Sequence, residues 1–167
     1  MKLRMPLMFC LVLFGNCFAA DQTPAPLKEL FPNGLEDVNG KAVSLDQLKG
    51  KLIGVYFSAH WCPPCRAFTP KLVEFRDKNV KEFEVVFVSS DHTAADQAKY
   101  IKEAKMQWYV LKWKSKEGDA LKKKFNVSGI PKLVILKPNG ELLTENGRND
   151  VTSNPDKCLK QWKEKAK

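Results

Sequence analysis

The sequence predicts an α/β fold in which helices flank a central mixed β-sheet, with an N-terminal β-hairpin as an extension of that sheet. Three observations favour this fold. Residues 51–58 and 84–89 are nearly continuous apolar runs of strand length, which is typical of strands buried on both faces. A helical pattern follows each of these runs. A hairpin pattern over residues 132–144 and a helical C-terminus then complete a single domain without internal repeats.

The composition of the chain excludes several classes of protein. Its 167 residues are enough for one domain and too few for a multidomain assembly. No apolar run reaches the roughly 18 to 20 residues of a membrane-spanning helix, so we expect no stable membrane insertion. The formal net charge of +9 includes lysine-rich stretches at residues 122–124 and 160–167. Because no groove-reading motif accompanies this charge, we interpret the lysines as solvated helix faces and expect no nucleic-acid partner.

Residues 1–19 have the pattern of a secretory signal peptide. Two basic residues precede an apolar stretch at residues 7–14, and small side chains follow at Cys17 and Ala19. The small-x-small rule predicts cleavage after Ala19, which leaves residues 20–167 as the mature domain. We therefore expect an exported protein, located in the periplasm of a bacterial host, or otherwise in the secretory pathway or outside the cell.

Two other interpretations of the N-terminus are less favoured. An uncleaved membrane anchor would need a longer apolar stretch than this one. A lipoprotein signal at Cys17 is disfavoured because Asn16 replaces the small residue that precedes a lipidated cysteine. Cleavage removes two of the five cysteines, and the three that remain are too few for a disulfide scaffold in an exported domain of this size. The remaining cysteines are therefore available for chemistry.

The segment before the first buried strand predicts a lead-in, a hairpin and a short helical turn. Residues 21–26 are polar and contain prolines, so we expect them to be extended. The pair Asn39-Gly40 supplies the positive backbone angles of a tight hairpin turn. One helical turn follows, which Ser44 caps and Gly50 ends.

The strand at residues 51–58 leads directly into a helix. Phe68, Leu72 and Phe75 recur at helical spacing, which predicts that they form the buried face of this helix. Pro70 lies inside the helix and has no backbone N–H to donate. We therefore expect a kink there, in a helix that is still long enough to keep its buried face.

A second strand and helix follow in the same order. Residues 84–89 are the second buried strand, and Thr93 is the expected cap of the helix after it. Ala94, Ala98 and Ile101 recur as a narrow apolar stripe along this helix. The pattern predicts that these three side chains face the core.

The last part of the chain predicts a hairpin between two helices. Residues 108–113 are rich in aromatic side chains and fit either a short strand or an irregular loop. Residues 117–125 predict a basic helix that ends before Asn126, which starts an Asn-Val-Ser glycosylation sequon that matters only in a eukaryotic host. A hairpin over residues 132–144 turns at a Pro-Asn-Gly sequence, and Pro155 suits the first position of a final helix.

Cys62 and Cys65 are separated by two prolines at the point where a strand ends and a helix begins. At a helix N-terminus, free backbone N–H groups and the helix dipole favour a thiolate over a thiol. Cys62 is therefore predicted to be a readily ionised nucleophile whose sulfur is open to solvent. Cys65, one turn later and more enclosed, can attack a mixed disulfide on Cys62 and release the partner in reduced form. The prolines keep both sulfurs poised to join.

Other roles for the cysteines are less favoured. A zinc site would need two further ligands, and only Cys158, His60 and His92 are candidates, so we predict no metal. A purely structural disulfide would close a very short loop and remove little chain entropy. Cys158 itself is open to three roles: a third redox residue, a dimer disulfide or, the role we favour, a small buried hydrophobe.

Three separated motifs resemble the thioredoxin superfamily. They are residues 57–66 (FSAHWCPPCR), 83–91 (FEVVFVSSD) and 128–131 (SGIP). Within that superfamily the chain most resembles the tryparedoxin and nucleoredoxin branch, and more distantly the exported thiol-disulfide proteins of bacteria. The resemblance spans most of residues 34–148. It implies a thioredoxin-like fold and a thiol-disulfide oxidoreductase, for which we expect no cofactor.

The resemblance also assigns roles to residues around the cysteines. It implies that Pro131 is a cis-proline facing the active disulfide, and that Ile130 presents a backbone edge with which an extended substrate pairs. Trp61 matches the superfamily's surface tryptophan beside the nucleophile, although a core aromatic residue is the alternative. Trp61, Pro63, Ile130 and Pro131 are thus the predicted substrate-binding residues.

Two positions depart from the superfamily's pattern. Tyr56 stands where thioredoxin itself has a buried aspartate that accepts the proton of the second cysteine, so the proton must move through water or through a carboxylate that the sequence does not identify. The favoured branch tends to have an aromatic residue there. His60 stands where a small residue is more common. As an imidazolium it would tune Cys62 towards the thiolate in mildly acidic solution, and the alternative is a solvated loop residue without a role.

The function that these observations predict is reduction of protein disulfides by an exported oxidoreductase, through exchange at Cys62 and Cys65. Its expected partners are protein or small-molecule disulfides and an unidentified thiol electron donor, and we expect a monomer. Two alternatives stay open. One is a non-catalytic binding module on the same scaffold, and the other is a peroxidase in which Cys62 attacks peroxide, which the cysteine spacing disfavours. The direction of electron flow depends on the reduction potential and on the donor.

Overall fold

A seven-stranded mixed β-sheet organises the computed structural model, which describes residues 25–167. Its strands are β1 Leu35–Glu36, β2 Ala42–Val43, β3 Leu52–Ser58, β4 Phe83–Ser89, β5 Tyr109–Val110, β6 Lys132–Leu136 and β7 Leu142–Thr144. Their order across the sheet is β2-β1-β5-β4-β3-β6-β7. Strands β5, β4 and β3 are parallel neighbours, and the pairs towards both edges are antiparallel. The predicted signal peptide, residues 1–19, lies outside the described residues.

Helices cover both faces of this sheet. Over residues 25–167 they are α1 Ala25–Leu30, a 3-10 helix Leu45–Leu48, α2 Pro63–Lys78, α3 Ala94–Glu103, α4 Lys116–Lys124, α5 Gly147–Ser153 and α6 Pro155–Lys165. The predicted α/β fold, with its flanked mixed sheet, is therefore confirmed. In this same part of the chain no helix is both long and apolar enough to span a bilayer.

The central strand β3 divides the core into two hydrophobic clusters, because successive side chains of a strand point to opposite faces. Every residue of β3 is buried, as its continuous apolar run predicts. Tyr56 joins the cluster under α2, α3, α5 and α6, which is rich in aromatic side chains. Val55 and Phe57 join the cluster on the opposite face, under α1 and α4. Helix α2 continues through Pro70 and buries Phe68, Leu72 and Phe75 as predicted.

The N-terminal hairpin forms as predicted, but its turn uses one positive backbone angle and not two. Gly40 has φ +81°, a conformation that costs glycine nothing. The prediction for Asn39 is wrong, because its φ is not positive. The Asp37 carboxylate closes the turn instead, since it accepts the backbone N–H groups of Lys41 at 2.9 Å and Asn39 at 2.8 Å. These hydrogen bonds, that from Lys41 first, lower the pKa of Asp37.

The predicted buried face of α3 is wrong for two of its three residues. Ile101 is buried as predicted, but Ala94 and Ala98 are exposed, and Gln97 and Tyr100 are buried in their place. Thr93 caps the helix as predicted, with its hydroxyl accepting the backbone N–H of residue 96. The helix is therefore rotated from the predicted orientation, because the larger side chains on the neighbouring face fill the space above β4 and the small alanines do not.

Two helices occur where the sequence analysis predicted none. Helix α1 begins inside the segment expected to be extended, and Leu27 and Leu30 bury its inner face. Helix α5 precedes the predicted C-terminal helix, and it places Gly147 against the side chain of Ile135 and the backbone of Leu133. A side chain at residue 147 would meet β6 at less than 3 Å, so only glycine allows this close approach.

Candidate active site

Cys62 and Cys65 form a disulfide at the N-terminus of α2, with their Cα atoms 5.2 Å apart. Cys62 is the N-cap residue, and its sulfur accepts the backbone N–H of Cys65 at 3.3 Å. Pro63 and Pro64 occupy the first two helical positions, where a missing N–H leaves no hydrogen bond unmade. The first turn of α2 contains no acidic residue. The positive end of the helix dipole therefore favours a negative charge on Cys62, and no acidic side chain in that turn repels it.

The disulfide is more enclosed than the sequence predicted. Cys62 is only 3% exposed and Cys65 is completely buried. The expectation that the Cys62 sulfur lies open to solvent is thus wrong for the disulfide form, because Ala59 and the side chain of Ile130 pack against the two cysteines. The order of enclosure is as predicted, with Cys65 the deeper of the pair.

A cis-proline loop faces the cysteine pair. The Ile130–Pro131 peptide bond is cis, as the resemblance implied. The sulfur of Cys62 lies 3.8 Å from the carbonyl oxygen of Ile130. Beside this loop, a shallow open groove is lined by Ser128, Gly129 and Arg148. The backbone of Ile130 therefore lies at the rim of the site, next to the Cys62 sulfur.

Trp61 is a surface residue and not a core one. Its side chain is 51% exposed, which excludes the alternative of a buried aromatic residue. The indole Nε1 donates a hydrogen bond to the carbonyl oxygen of Ser90 at 3.0 Å. The ring stacks on His92, with centroids 5.6 Å apart and planes inclined by 15°. Trp61 thus presents an exposed aromatic surface of fixed orientation next to Cys62, and Pro63 is also exposed.

Asp91 holds the turn that leads into the cysteines, and sequence reasoning did not assign it a role. Its carboxylate is buried and accepts the backbone N–H of His60 at 2.7 Å and the Ser89 hydroxyl at 2.8 Å. Its backbone carbonyl accepts the Trp113 indole N–H at 3.1 Å. A signal was available: β3 and β4 are parallel and in register, so the residues after both strands meet at one edge of the sheet.

A buried cluster of hydroxyl groups lies behind Cys65 on α2. The Thr69 hydroxyl donates to the carbonyl oxygen of Cys65 at 2.9 Å. With its proton used there, it accepts from Tyr56 at 2.8 Å and from Tyr100 at 2.5 Å. Ser58 completes the cluster with a hydrogen bond to Tyr100 at 3.0 Å. Tyr56 therefore replaces an acid with a neutral group, and burial, first among the causes, raises its pKa further from neutrality.

The His60 side chain contacts helix α3. Its ring Nε2 lies 2.8 Å from a carboxylate oxygen of Glu103 on α3, and its ring is 5.6 Å from that of Tyr100. The side chain is 21% exposed, so it is not a freely solvated loop residue. Any positive charge on the imidazole is paired with Glu103. The tuning of Cys62 by His60 stays a prediction.

Cys158 is buried in the aromatic-rich cluster under α6, beside Trp162. Burial raises the pKa of its thiol to about 11, with a smaller contribution from Asp150. Among residues 25–167 no three His, Cys, Asp or Glu side chains are grouped as metal ligands would be. The favoured role of Cys158, a small buried hydrophobe, fits its position.

A cysteine pair at a helix N-terminus opposite a cis-proline, on a sheet of this topology, defines a thioredoxin-like domain. The sequence profile described as thioredoxin-like matches residues 50–142. Mouse nucleoredoxin is 37% identical over 137 residues, which are 80% of this chain and 31% of that protein. Tryparedoxin of Trypanosoma brucei brucei is 40% identical over 124 residues, which are 72% of this chain and 85% of that protein.

A solved structure of tryparedoxin II complexed with glutathionylspermidine superposes with a TM-score of 0.73 at 35% identity, covering 80% of this chain and 95% of that one. The chain belongs to the thioredoxin-like family, with nucleoredoxins and tryparedoxins as relatives. Members of this superfamily are thiol-disulfide oxidoreductases. The chain spans between a fifth and about a third of the length of the nucleoredoxins that it matches.

Proposed function

We propose that this protein is an exported thiol-disulfide oxidoreductase that reduces protein disulfides, with Cys62 as nucleophile and Cys65 as resolving cysteine. One observation carries the proposal: the Cys62–Cys65 disulfide lies at the N-terminus of α2, with the Cys62 sulfur 3.8 Å from the backbone of the cis-proline loop. This arrangement brings a stabilised thiolate and a substrate-pairing edge to the same place.

The exchange needs no group other than the two cysteines and their substrate. The Cys62 thiolate attacks one sulfur of the substrate disulfide, a new S–S bond forms, and the other substrate sulfur leaves as a thiolate. Cys65 passes its proton, directly or through water, to the substrate thiolate that has left. Its sulfur then attacks the Cys62 sulfur, which releases the second substrate thiolate and leaves Cys62–Cys65 oxidised. Two electrons have then passed to the substrate. A thiol donor returns the pair to the reduced form by the same exchange in reverse.

The surroundings of the disulfide favour an extended peptide as substrate. The carbonyl of Ile130 is at the rim of the site, and Trp61 with Pro63 forms an exposed surface beside it. An extended chain can pair with the first and pack on the second. Tryparedoxin II, a structural relative, is known in a complex with glutathionylspermidine. Small disulfides are therefore proposed as further substrates or as the oxidised form of the donor.

Trapping of the mixed disulfide tests the chemistry. The Cys65→Ser variant retains the nucleophile and lacks the resolving thiol, so we expect it to accumulate disulfide-linked partners at Cys62. Cys62→Ser is the matched control, because it retains Cys65 and should trap nothing. Failure of Cys65→Ser to trap any partner, together with an inert wild-type protein on a model disulfide, would overturn the proposal. Full activity of the Cys62→Ser/Cys65→Ser double variant would favour a binding module instead.

The cellular location needs its own test. We propose cleavage after Ala19 and export of residues 20–167. The full chain, expressed with its own N-terminus, should appear outside the cytosol with Ala20 as its first residue, which N-terminal peptide mass spectrometry reads directly. Full-length protein recovered from the cytosol would contradict the proposed location and leave the chemistry of the cysteine pair unaffected.

A further inference from the structure

Asn126, Val127 and Ser128 form the one Asn-x-Ser/Thr sequence, with x not proline, in the 167 residues. This triplet is the acceptor sequence for N-linked glycans, which are added to asparagine in the secretory pathway. It lies between α4 and the cis-proline loop, and the exchange chemistry of Cys62 and Cys65 does not use it. The structure therefore has to explain why these residue types occur there.

The end of α4 explains the asparagine and leaves the serine unexplained. Asn126 has φ +47°. Its backbone N–H donates to the carbonyl oxygen of Lys123 at 3.2 Å, and the backbone N–H of Val127 donates to the carbonyl oxygen of Lys122 at 2.9 Å. This pair of hydrogen bonds is the Schellman motif, in which glycine is the commonest left-handed residue and asparagine is also used. Ser128 has no part in the motif. Among the described residues neither the Asn126 carboxamide nor the Ser128 hydroxyl has a hydrogen-bond partner.

The turn presents both side chains to solvent while its backbone is held firmly. Asn126 and Ser128 are exposed. Phe125 before them is buried, its ring contacts Phe57, and its carbonyl accepts the Lys132 ammonium group at 2.6 Å. A large group on the Asn126 side chain therefore extends outwards without displacing any contact of the folded domain.

We propose that Asn126 is an N-glycosylation site. This proposal rests on the export included in the proposed function, and on a eukaryotic host. The donor is a lipid-linked oligosaccharide pyrophosphate. The Asn126 carboxamide nitrogen bonds to the anomeric carbon, the bond from that carbon to the pyrophosphate oxygen breaks, and the carboxamide loses one proton. No atom is oxidised or reduced. The Phe125 carbonyl accepts a hydrogen bond from the Lys132 side chain, and Lys132 directly follows Pro131 in the chain. A glycan on Asn126 would therefore lie near the cis-proline loop, with which the substrate is proposed to pair.

The test uses the full chain secreted from cultured eukaryotic cells, in two forms. One form has its own residues 1–19, and the other has an established secretory leader in their place. Peptide-N-glycosidase treatment should remove one glycan from the secreted protein and convert Asn126 to aspartate in the peptide mass spectrum. Ser128→Ala should retain the Asn126 turn but carry no glycan, so that peptide-N-glycosidase no longer shifts its mobility on a gel. Ser128→Thr should keep the glycan and the gel shift. Asn126→Gly should also abolish the shift, because glycine keeps the left-handed turn without a carboxamide.

The two forms separate the site from the export signal. Glycosylation of both forms supports the site and the native leader together. Glycosylation of the substituted form alone supports the site and contradicts the proposed export. Secreted protein from the substituted form with unmodified Asn126 overturns the proposal, whatever the native leader does.

Discussion

The two ends of the layer formed by α2, β3 and β4 bury polar groups in opposite ways. At the disulfide end, neutral hydroxyls of Tyr56, Thr69 and Tyr100 bond to one another and to the Cys65 carbonyl. At the other end, the buried Glu84 carboxylate accepts two hydrogen bonds from the Arg76 guanidinium, each at 2.8 Å. The difference shows how α2 is held to the sheet: an ion pair joins them far from the cysteines, whereas neutral hydroxyl groups fill the space behind Cys65.

Loss of the buried ion pair should give the largest change in stability. Arg76→Leu leaves Glu84, which is 1% exposed, with Lys51 at 3.6 Å as its remaining cation and the Val85 N–H at 3.0 Å as its remaining donor. Because a buried charge that loses its main partner is costly, we expect the free energy of unfolding to fall by about 3–5 kcal/mol in urea titrations. Lys78→Gln, which breaks an exposed pair with Glu74 on the same helix, is the control and should leave the midpoint unchanged. Equal midpoints for both variants would show that the buried pair is not an anchor.

Removal of the hub of the hydroxyl cluster should cost less. Thr69→Val keeps the side-chain shape but removes the acceptor shared by both tyrosine hydroxyls, although Tyr100 keeps Ser58 as a partner. We expect a loss of about 1–3 kcal/mol in the free energy of unfolding. Thr152 on α5 makes the same backbone hydrogen bond, to the carbonyl of Arg148 at 2.7 Å, but is exposed. Thr152→Val is therefore the matched control, with almost no expected effect. A Thr69 variant as stable as this control would contradict a buried hydrogen-bonded cluster.

The cluster should also leave a signature in alkaline solution. Burial raises the pKa of Tyr56, so the native protein holds this proton at a pH where the unfolded chain has lost it. The corresponding stability is complete below about pH 10 and is lost as the pH rises, by up to about 1.4 kcal/mol per pH unit. The Tyr56→Phe variant has no hydroxyl at this position, so its stability lacks this pH-dependent contribution. The stability difference between the wild-type protein and Tyr56→Phe should therefore narrow in urea titrations from about pH 9 to 12, and a constant difference would contradict a buried, protonated Tyr56.

The sequence predicted those parts of the fold and site that depend on neighbouring residues. Continuous apolar runs predicted β3 and β4, and the cysteine pair between a strand and a helix identified the N-terminus of α2. Helix α5 was missed because Val151 is its one large buried side chain, which gives no periodicity. Most of the α3 face was assigned wrongly because the apolar pattern favoured Ala94 and Ala98, whereas the larger Tyr100 on a neighbouring face buries more surface against the sheet. Asp91 was missed because its contacts reach residues 31 and 22 positions away in the chain.

Cys158 should have the smallest effect of all. Burial keeps its thiol protonated at neutral pH, since the pKa is raised to about 11. We expect Cys158→Ala to leave the rate of disulfide exchange unchanged, and the native thiol to resist alkylation until the protein unfolds. A lower exchange rate in Cys158→Ala, or alkylation of Cys158 in the folded protein, would make it a third redox residue instead.

Alkylation of the reduced protein tests the central claim most directly, which is that Cys62 is the attacking thiolate. In the Cys158→Ala background, the reduced protein would be treated with iodoacetamide at neutral pH and the rate followed at each cysteine by peptide mass spectrometry. We predict that Cys62, at the N-cap of α2, reacts about tenfold or more faster than Cys65. Equal rates at the two cysteines, or faster modification of Cys65, would contradict the assignment.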